Sequence, residues 1–276
     1  MGAIVGGLFA ADPDLLNDPA RLAALLSDAP ANPWRPGSWR QRARGLLEVA
    51  DYLEHDLFGL GRDSGAALEK HLDAVVEHRT IEQLDIPFAA TATDVITGDV
   101  AVLRSGNVAR ALHASAALPG VFTPVAWGSR WLTDGGVVSN LPVRVTRALG
   151  VDVVFGVSVT PPLAPTMPRT GVGLLLRLNA LTAHRLQAEE LEQADVRLVV
   201  PIPTEIGIFD FDLLERLVAY GRSAALRALP EIERALDAAS GQDAEGAPRS
   251  ASSGVGVGRR VTGFGRPYAD DRQPSP

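Results

Sequence analysis

The chain opens on Met1-Gly2-Ala3-Ile4-Val5-Gly6-Gly7-Leu8-Phe9-Ala10-Ala11, a run with no polar side. A helix that is apolar all round is a buried one, so this pattern predicts a chain that begins inside a core. Asp12-Pro13-Asp14 ends the run and starts a second helix over 15–27, with Leu15, Leu16, Leu22, Leu25 and Leu26 on one face. Residues 40–58 and 66–78 carry amphipathic helical spacing and read as part of an inserted helical layer over about 29–80. From Ile86 the pattern shortens to strands at 86–93, 100–103, 122–127 and 131–133, with turns at Thr97-Gly98-Asp99 and Gly128-Ser129. A short helix over 107–118 interrupts them, closed by Pro119-Gly120. Pro142 opens a further helix that Gly150 stops. Residues 151–159 form a nearly continuous apolar run, the pattern of a strand buried on both faces and paired in parallel. A helix over 170–194, a strand over 196–202 and a helix over 210–229 follow. The alternation predicts an α/β fold in three layers, a largely parallel sheet with helices on both faces. After Ala239 the chain turns to Gly, Ser, Pro, Asp and Arg, so residues 240–276 are expected to be a disordered tail behind one domain over 1–239.

Composition narrows the function classes. With 276 residues, 46% of them hydrophobic, the chain suits one sizeable domain and a tail. A net charge of −7, with no basic cluster beyond Arg259-Arg260, gives no footprint for nucleic acid. The absence of cysteine excludes disulfides, thiolate catalysis and cysteine metal sites. No apolar run approaches the ~20 residues of a membrane span. The opening run lacks the basic flank and cleavage pattern of a leader, and Gly6 stands where myristoylation wants Ser or Thr. Trp34 and Trp39, two of the four tryptophans, lie in a proline-rich loop over 29–39. Their indoles either pack onto the domain or form a lid or membrane-touching edge.

The candidate chemistry centres on Trp131-Leu132-Thr133-Asp134-Gly135-Gly136. An aspartate at a strand end, backed by two glycines, sits where the chain turns sharply, because glycine takes positive φ and lets another backbone approach. Such a carboxylate serves as a helix cap, a metal ligand or a catalytic base. His55, His71, His78 and His184 show no metal-like spacing and read as surface or satisfied histidines, and no cofactor or metal is called for. His113 is the one histidine placed to line a pocket. Asp210 and Asp212 most simply cap the helix behind them. No Gly-x-Gly-x-x-Gly or Walker loop supports a nucleotide-binding domain.

Three blocks, 86–98 (Ile86-Pro87-Phe88 to Thr97-Gly98), 111–122 (Ala111-Leu112-His113-Ala114-Ser115 to Pro119-Gly120-Val121-Phe122) and 132–143 (Leu132-Thr133-Asp134-Gly135-Gly136 to Asn140-Leu141-Pro142-Val143), together resemble the patatin-like phospholipase family. The resemblance covers roughly residues 1–230. It implies a lipid acyl hydrolase, a carboxylic ester hydrolase of phospholipase A or lysophospholipase type, working through a serine–aspartate dyad with Asp134 as base. A carboxylate a hydrogen bond from a hydroxyl, at lowered dielectric, is a stronger base than in water. It also implies a lipid or carboxyl-ester substrate and peripheral membrane contact, with the cytoplasm as the expected compartment.

The family's serine sits in Gly-x-Ser-x-Gly on a strained strand-to-helix turn. That motif is absent here. Gly156-Val157-Ser158-Val159-Thr160 and Gly221-Arg222-Ser223-Ala224-Ala225 both lack the closing glycine. Met1-Gly2 instead resembles the two residues after the serine, with Gly2 as the closing glycine. The expectation is a sequence that starts one residue after its nucleophile, lacking the oxyanion loop and first strand, and inactive and marginally stable as written. The alternative is a non-catalytic lipid-binding remnant of such an enzyme.

Overall fold

The computed structural model of the chain describes residues 2–18, 20–21, 25, 65–119, 122–163, 165–168, 170–204, 206 and 213–245. The expected helix over 40–58, the Trp34 and Trp39 loop, Asp210 and Asp212, and the tail beyond Glu245 lie outside these residues.

Four strands, β1 (Ala90–Asp94), β2 (Val100–Leu103), β3 (Val125–Trp127) and β4 (Arg130–Asp134), form one sheet in the order β2-β1-β4-β3. Every pairing in it is antiparallel, with Ala92 opposite Asp134. The turns explain two of those pairings. Gly98 at φ 75° lets the chain reverse between β1 and β2, and Gly128 at φ 59° does so between β3 and β4. Connections this short join only antiparallel neighbours. The expected parallel pairing is found between β5 (Phe155–Ser158) and β6 (Val196–Val199), which form a separate two-stranded sheet. The largely parallel description therefore fits that pair and not the four-stranded sheet.

The opening run is helix α1 (Gly2–Ala11), with Ile4, Leu8, Ala10 and Ala11 buried as its pattern predicts. Helices α2 (Ala66–Val75) and α3 (Val108–Ala116) follow, then α4 (Val143–Ala148), α5 (Gly171–Leu191) and α6 (Leu214–Glu245). Asn107 caps α3, its side-chain oxygen accepting from Arg110 N at 2.8 Å. Helix α3 packs on β1 and β4, and both α1 and α2 pack on α3. The main core lies at this junction, with Ile4, Leu8, Leu72, Leu103, Leu112 and Leu132 in one apolar cluster. A smaller cluster of Val143, Val154 and Ala194 joins α4 to the two-stranded sheet.

Three expectations are corrected here. Residues 86–89 are not strand, and β1 begins at Ala90. Strand β5 is not buried on both faces: Gly156 and Ser158 are buried, while Phe155 and Val157 are exposed. An apolar run does not reveal which of its sides finds a partner. The last helix passes through Pro230 and on to Glu245, beyond the expected stop at 229. Ala, Leu, Glu and Arg on both sides of the proline are strong helix formers, and they outweigh its missing N–H.

Leu112 is fully buried against α1, where a Cβ built on Gly7 would lie 2.7 Å from Leu112 Cδ2. Truncation to alanine leaves a void that the sheet and two helices cannot close. Leu112→Ala is expected to lose about 2–5 kcal/mol of stability, read as a lower urea midpoint at unchanged slope.

Candidate active site around Asp134

Asp134 ends β4 and is held by its backbone on both sides. Its N–H donates to Ala117 O at 3.0 Å, and its carbonyl accepts from Thr93 Oγ1 at 2.9 Å. Thr133 Oγ1 also donates to Ala117 O, at 2.6 Å. The carbonyl just past the end of α3, which lacks a partner within the helix, is thus satisfied by the strand that carries Asp134.

The half-buried side chain is equally constrained. Oδ1 accepts from Gly136 N at 2.6 Å, while Oδ2 takes no hydrogen bond from a described residue. The glycines are required by close approach and not by dihedral angle, because neither has a positive φ. A Cβ on Gly135 would stand 2.3 Å from the backbone oxygen of Thr91, and one on Gly136 would stand 2.9 Å from Asp134 Oδ1. Of the two reasons the sequence suggested for Gly-Gly, the structure retains one.

Two contacts give the direction of α1 against α3. At its far end, Ala11 O accepts from Arg79 Nη1 at 2.9 Å, and Arg79 O accepts from Val108 N, at the head of α3, at 3.1 Å. Midway, Gly7 meets Leu112. Helices α1 and α3 therefore run antiparallel. Five residues back from Gly7 is Gly2, and five residues on from Leu112 is Ala117, each a step of about 7.5 Å at 1.5 Å per residue. Gly2 is thereby carried toward the end of α3 where Asp134 is attached. A Cβ on Gly2 would meet nothing within 4 Å, so its neighbours within the described residues give no steric reason for glycine there.

Beyond the glycines the chain is tied to α5. Asn140 Nδ2 donates to Gln187 Oε1 at 2.7 Å, Thr160 Oγ1 donates to the same oxygen at 2.7 Å, and Gln187 Nε2 donates to Ser158 Oγ. Glu190 accepts from both the backbone N and Nε of Arg144, at the start of α4. The sequence pointed to Asn140 only as part of a motif, and nothing in it singled out Gln187.

The remaining candidates fall elsewhere. Ser158 is buried and bound to Gln187, and Ser223 accepts from Arg227 Nη1 at 2.6 Å on α6. No described serine hydrogen-bonds Asp134. His113 is buried beside a cleft of about 510 Å³ that Glu69, Asp73, Asn107 and Arg110 also line, and Asp134 does not. Its Nδ1 donates to Glu69 Oε2 at 2.9 Å, and Phe122 meets the ring edge-on at 6.0 Å between centroids. Its Nε2 faces Gly65, where a Cβ would lie 1.9 Å away and φ is 68°. His71 contacts Leu25 O at 3.0 Å, and His78 pairs with Asp73. Among the described residues no cluster of three histidine or acidic side chains is arranged to hold a metal ion.

Two substitutions probe this region. The Thr91 carbonyl is sheet backbone and cannot swing aside, so Gly135→Ala is expected to lower stability by about 1–3 kcal/mol, read by thermal melting. The hydrogen bond from His113 holds the Glu69 carboxyl below its ordinary value, assisted by the charge of Arg110 and opposed by burial. A carboxyl depressed in the folded state contributes stability that is full above its unfolded value and is lost as pH falls through the folded one. The difference in melting temperature between the parent chain and Glu69→Gln should be largest near neutrality and close as pH drops below 4.5, the ordinary glutamate value.

Comparison with known proteins places this geometry. The sequence pattern of the patatin-like phospholipase family matches residues 1–147. An uncharacterized NTE family protein of Mycobacterium tuberculosis is 30% identical over 198 residues, covering 62% of this chain and 34% of that protein. A second uncharacterized NTE family protein of the same species is 39% identical over 94 residues, covering 33% of this chain and 26% of its own length. Lysophospholipase NTE1 of Mycosarcoma maydis is 28% identical over 159 residues, 58% of this chain and 8% of that protein. The chain thus spans about a third of the length of the first of these curated relatives, or less. With the family pattern running through α1, the 111–122 block and the Asp-Gly-Gly turn, the chain belongs to the patatin-like phospholipase family.

Proposed function

We propose that the domain over residues 1–239 is the acyl-hydrolase unit of a lipid carboxyl-ester hydrolase, with Asp134 as the base of a serine–aspartate dyad. The serine is carried on the turn leading into α1, immediately ahead of Met1, with Gly2 closing the motif. Asp134 Oδ2 takes the proton as the serine oxygen attacks the ester carbonyl carbon, then returns it to the departing alcohol oxygen. Water then attacks the acyl carbon, Asp134 takes its proton and gives it to the serine oxygen as that bond breaks, and the fatty acid leaves. Oδ1 stays bound to Gly136 throughout, which fixes the carboxylate while its other oxygen does the transfer.

The observation that carries this reading is the antiparallel course of α1 and α3, which brings the head of α1 to the end of the core that holds Asp134. The match to a protein named as a lysophospholipase supports a lipid ester as the substrate class. The 276 residues alone, lacking that serine, turn over no ester.

The test is hydrolysis of a short-chain ester and of a lysophospholipid by a polypeptide extended with the coding sequence ahead of Met1. Turnover is expected in the extended protein and not in the 276-residue chain. Asp134→Asn should lower kcat by about 10²–10⁴-fold with KM little changed. Full activity of Asp134→Asn, or an upstream sequence without Gly-x-Ser at its end, overturns the proposal.

A further inference from the structure

Helix α6 has two apolar sides, and one of them is uncovered. The helix packs on β6, and the side that the protein covers carries Leu217, Ala224, Ala228, Ile232 and Ala235, all buried or half-buried. Val218, Leu226, Leu229 and Leu236 lie on another side and are 40%, 58%, 42% and 47% exposed. At 3.6 residues per turn, Val218, Leu229 and Leu236 fall within about 20° of one line, with Leu226 at its flank. That line stands roughly a quarter turn from the covered side, so packing on β6 leaves it bare. A second apolar stripe on an already packed helix calls for an occupant.

Charge says which occupant. Residues 214–229 carry Arg216, Arg222 and Arg227 against Glu215, whereas residues 230–240 carry Glu231, Glu233 and Asp237 against Arg234. The first half of the helix is therefore cationic and the second half anionic, each by two charges. Little in the fold uses these groups. Arg216 donates to Tyr220 Oη at 2.9 Å, Arg227 to Ser223 Oγ at 2.6 Å and Arg234 to the Pro230 carbonyl at 3.0 Å, all within the helix. Among the described residues Arg222, Glu231, Glu233 and Asp237 are in no ion pair.

Turned end for end, a second α6 meets the first with opposite charge in both halves. With Leu226 set beside Leu229 of the second copy, Arg222 comes level with that copy's Glu233, and Val218 lies within one residue of its Leu236. Twofold symmetry makes each of these contacts twice, as an isologous interface requires. Parallel pairing would instead set Arg222 against Arg222. An anionic lipid surface fits no better, because Glu233 and Asp237 would meet its headgroups.

We propose that α6 is the self-association surface of this protein, pairing antiparallel with α6 of a second copy. An apolar seam supplies the attraction, and the 222–233 ion pairs fix its direction and register. None of the groups around Asp134 takes part, so the pairing stands or falls apart from the acyl-hydrolase reading.

The experiment is sedimentation equilibrium of the 276-residue chain over about 1–100 μM, the range in which a micromolar dimer dissociates. The parent chain is expected to show a reversible monomer–dimer equilibrium, weaker at high salt. A Leu226→Ser, Leu229→Ser double variant, with unchanged circular dichroism and melting, should associate about a hundredfold more weakly. Arg222→Glu alone and Glu233→Arg alone should each weaken the dimer about tenfold, since like charges then meet at both symmetric contacts. An equimolar mixture of those two variants should recover the parental association, because every 222–233 contact in the mixed pair is again of opposite sign. A parent chain that stays monomeric throughout the range overturns the proposal and leaves the face to a different partner. So does a leucine variant that dimerises undiminished, or a mixture that associates no better than either variant alone.

Discussion

The fit of the β4 end between β1 and α3 is the constraint on which the rest depends. Three backbone groups meet there: the Thr91 oxygen against Gly135, the Asp134 N–H on Ala117 O, and the Asp134 carbonyl under the Thr93 hydroxyl. None of these partners has a rotamer to relax into except Thr93, so the position of the carboxylate is set by the sheet and by the end of one helix. A carboxylate positioned this way loses little conformational freedom when it engages a hydrogen-bond partner. Its immobility costs the chain two positions at which no side chain is tolerated without movement.

The same packing explains why an apolar segment without a polar face begins the described chain. Helix α1 lies along α3 with Gly7 against Leu112 and Gly6 near Phe88, a spacing that larger residues would open. The small residues of that run bring helix to helix, and Ile4 and Leu8 fill what remains. Helix α1 is therefore held to the core along its length by close backbone approach.

Much of this was legible in the residues. Turn glycines and the run of α1 each carry a local rule that survives folding, and the Asp-Gly-Gly turn keeps the close-approach half of its rule. Illegible features were those decided by a partner distant in sequence. The 151–159 run reads as a strand with two covered faces, yet only the side bearing Val154, Gly156 and Ser158 is covered, because composition does not report which layer is present. His113 reads as a pocket residue from its place in a motif and does line a cleft, but one shared with Glu69, forty-four positions earlier, and not with Asp134. Parallel pairing was expected from the alternation of strands and helices, whereas two tight turns had already committed the first four strands to antiparallel partners. The helix expected to end at 229 continues because strong helix formers on both sides of Pro230 outweigh one missing N–H.

The amide of Gln187 has a consequence for what that position tolerates. It uses its two ends for opposite tasks, the oxygen receiving Asn140 and Thr160 and the nitrogen giving to Ser158, so its orientation has one solution. Glutamate at that position would match the acceptor side and forfeit the donor, and an aliphatic residue would leave the buried Ser158 without its partner and release Asn140 and Thr160. A bifunctional planar group thus clamps strand, helix and loop into one register, and residue identity at 187 is dictated by bond polarity more than by size.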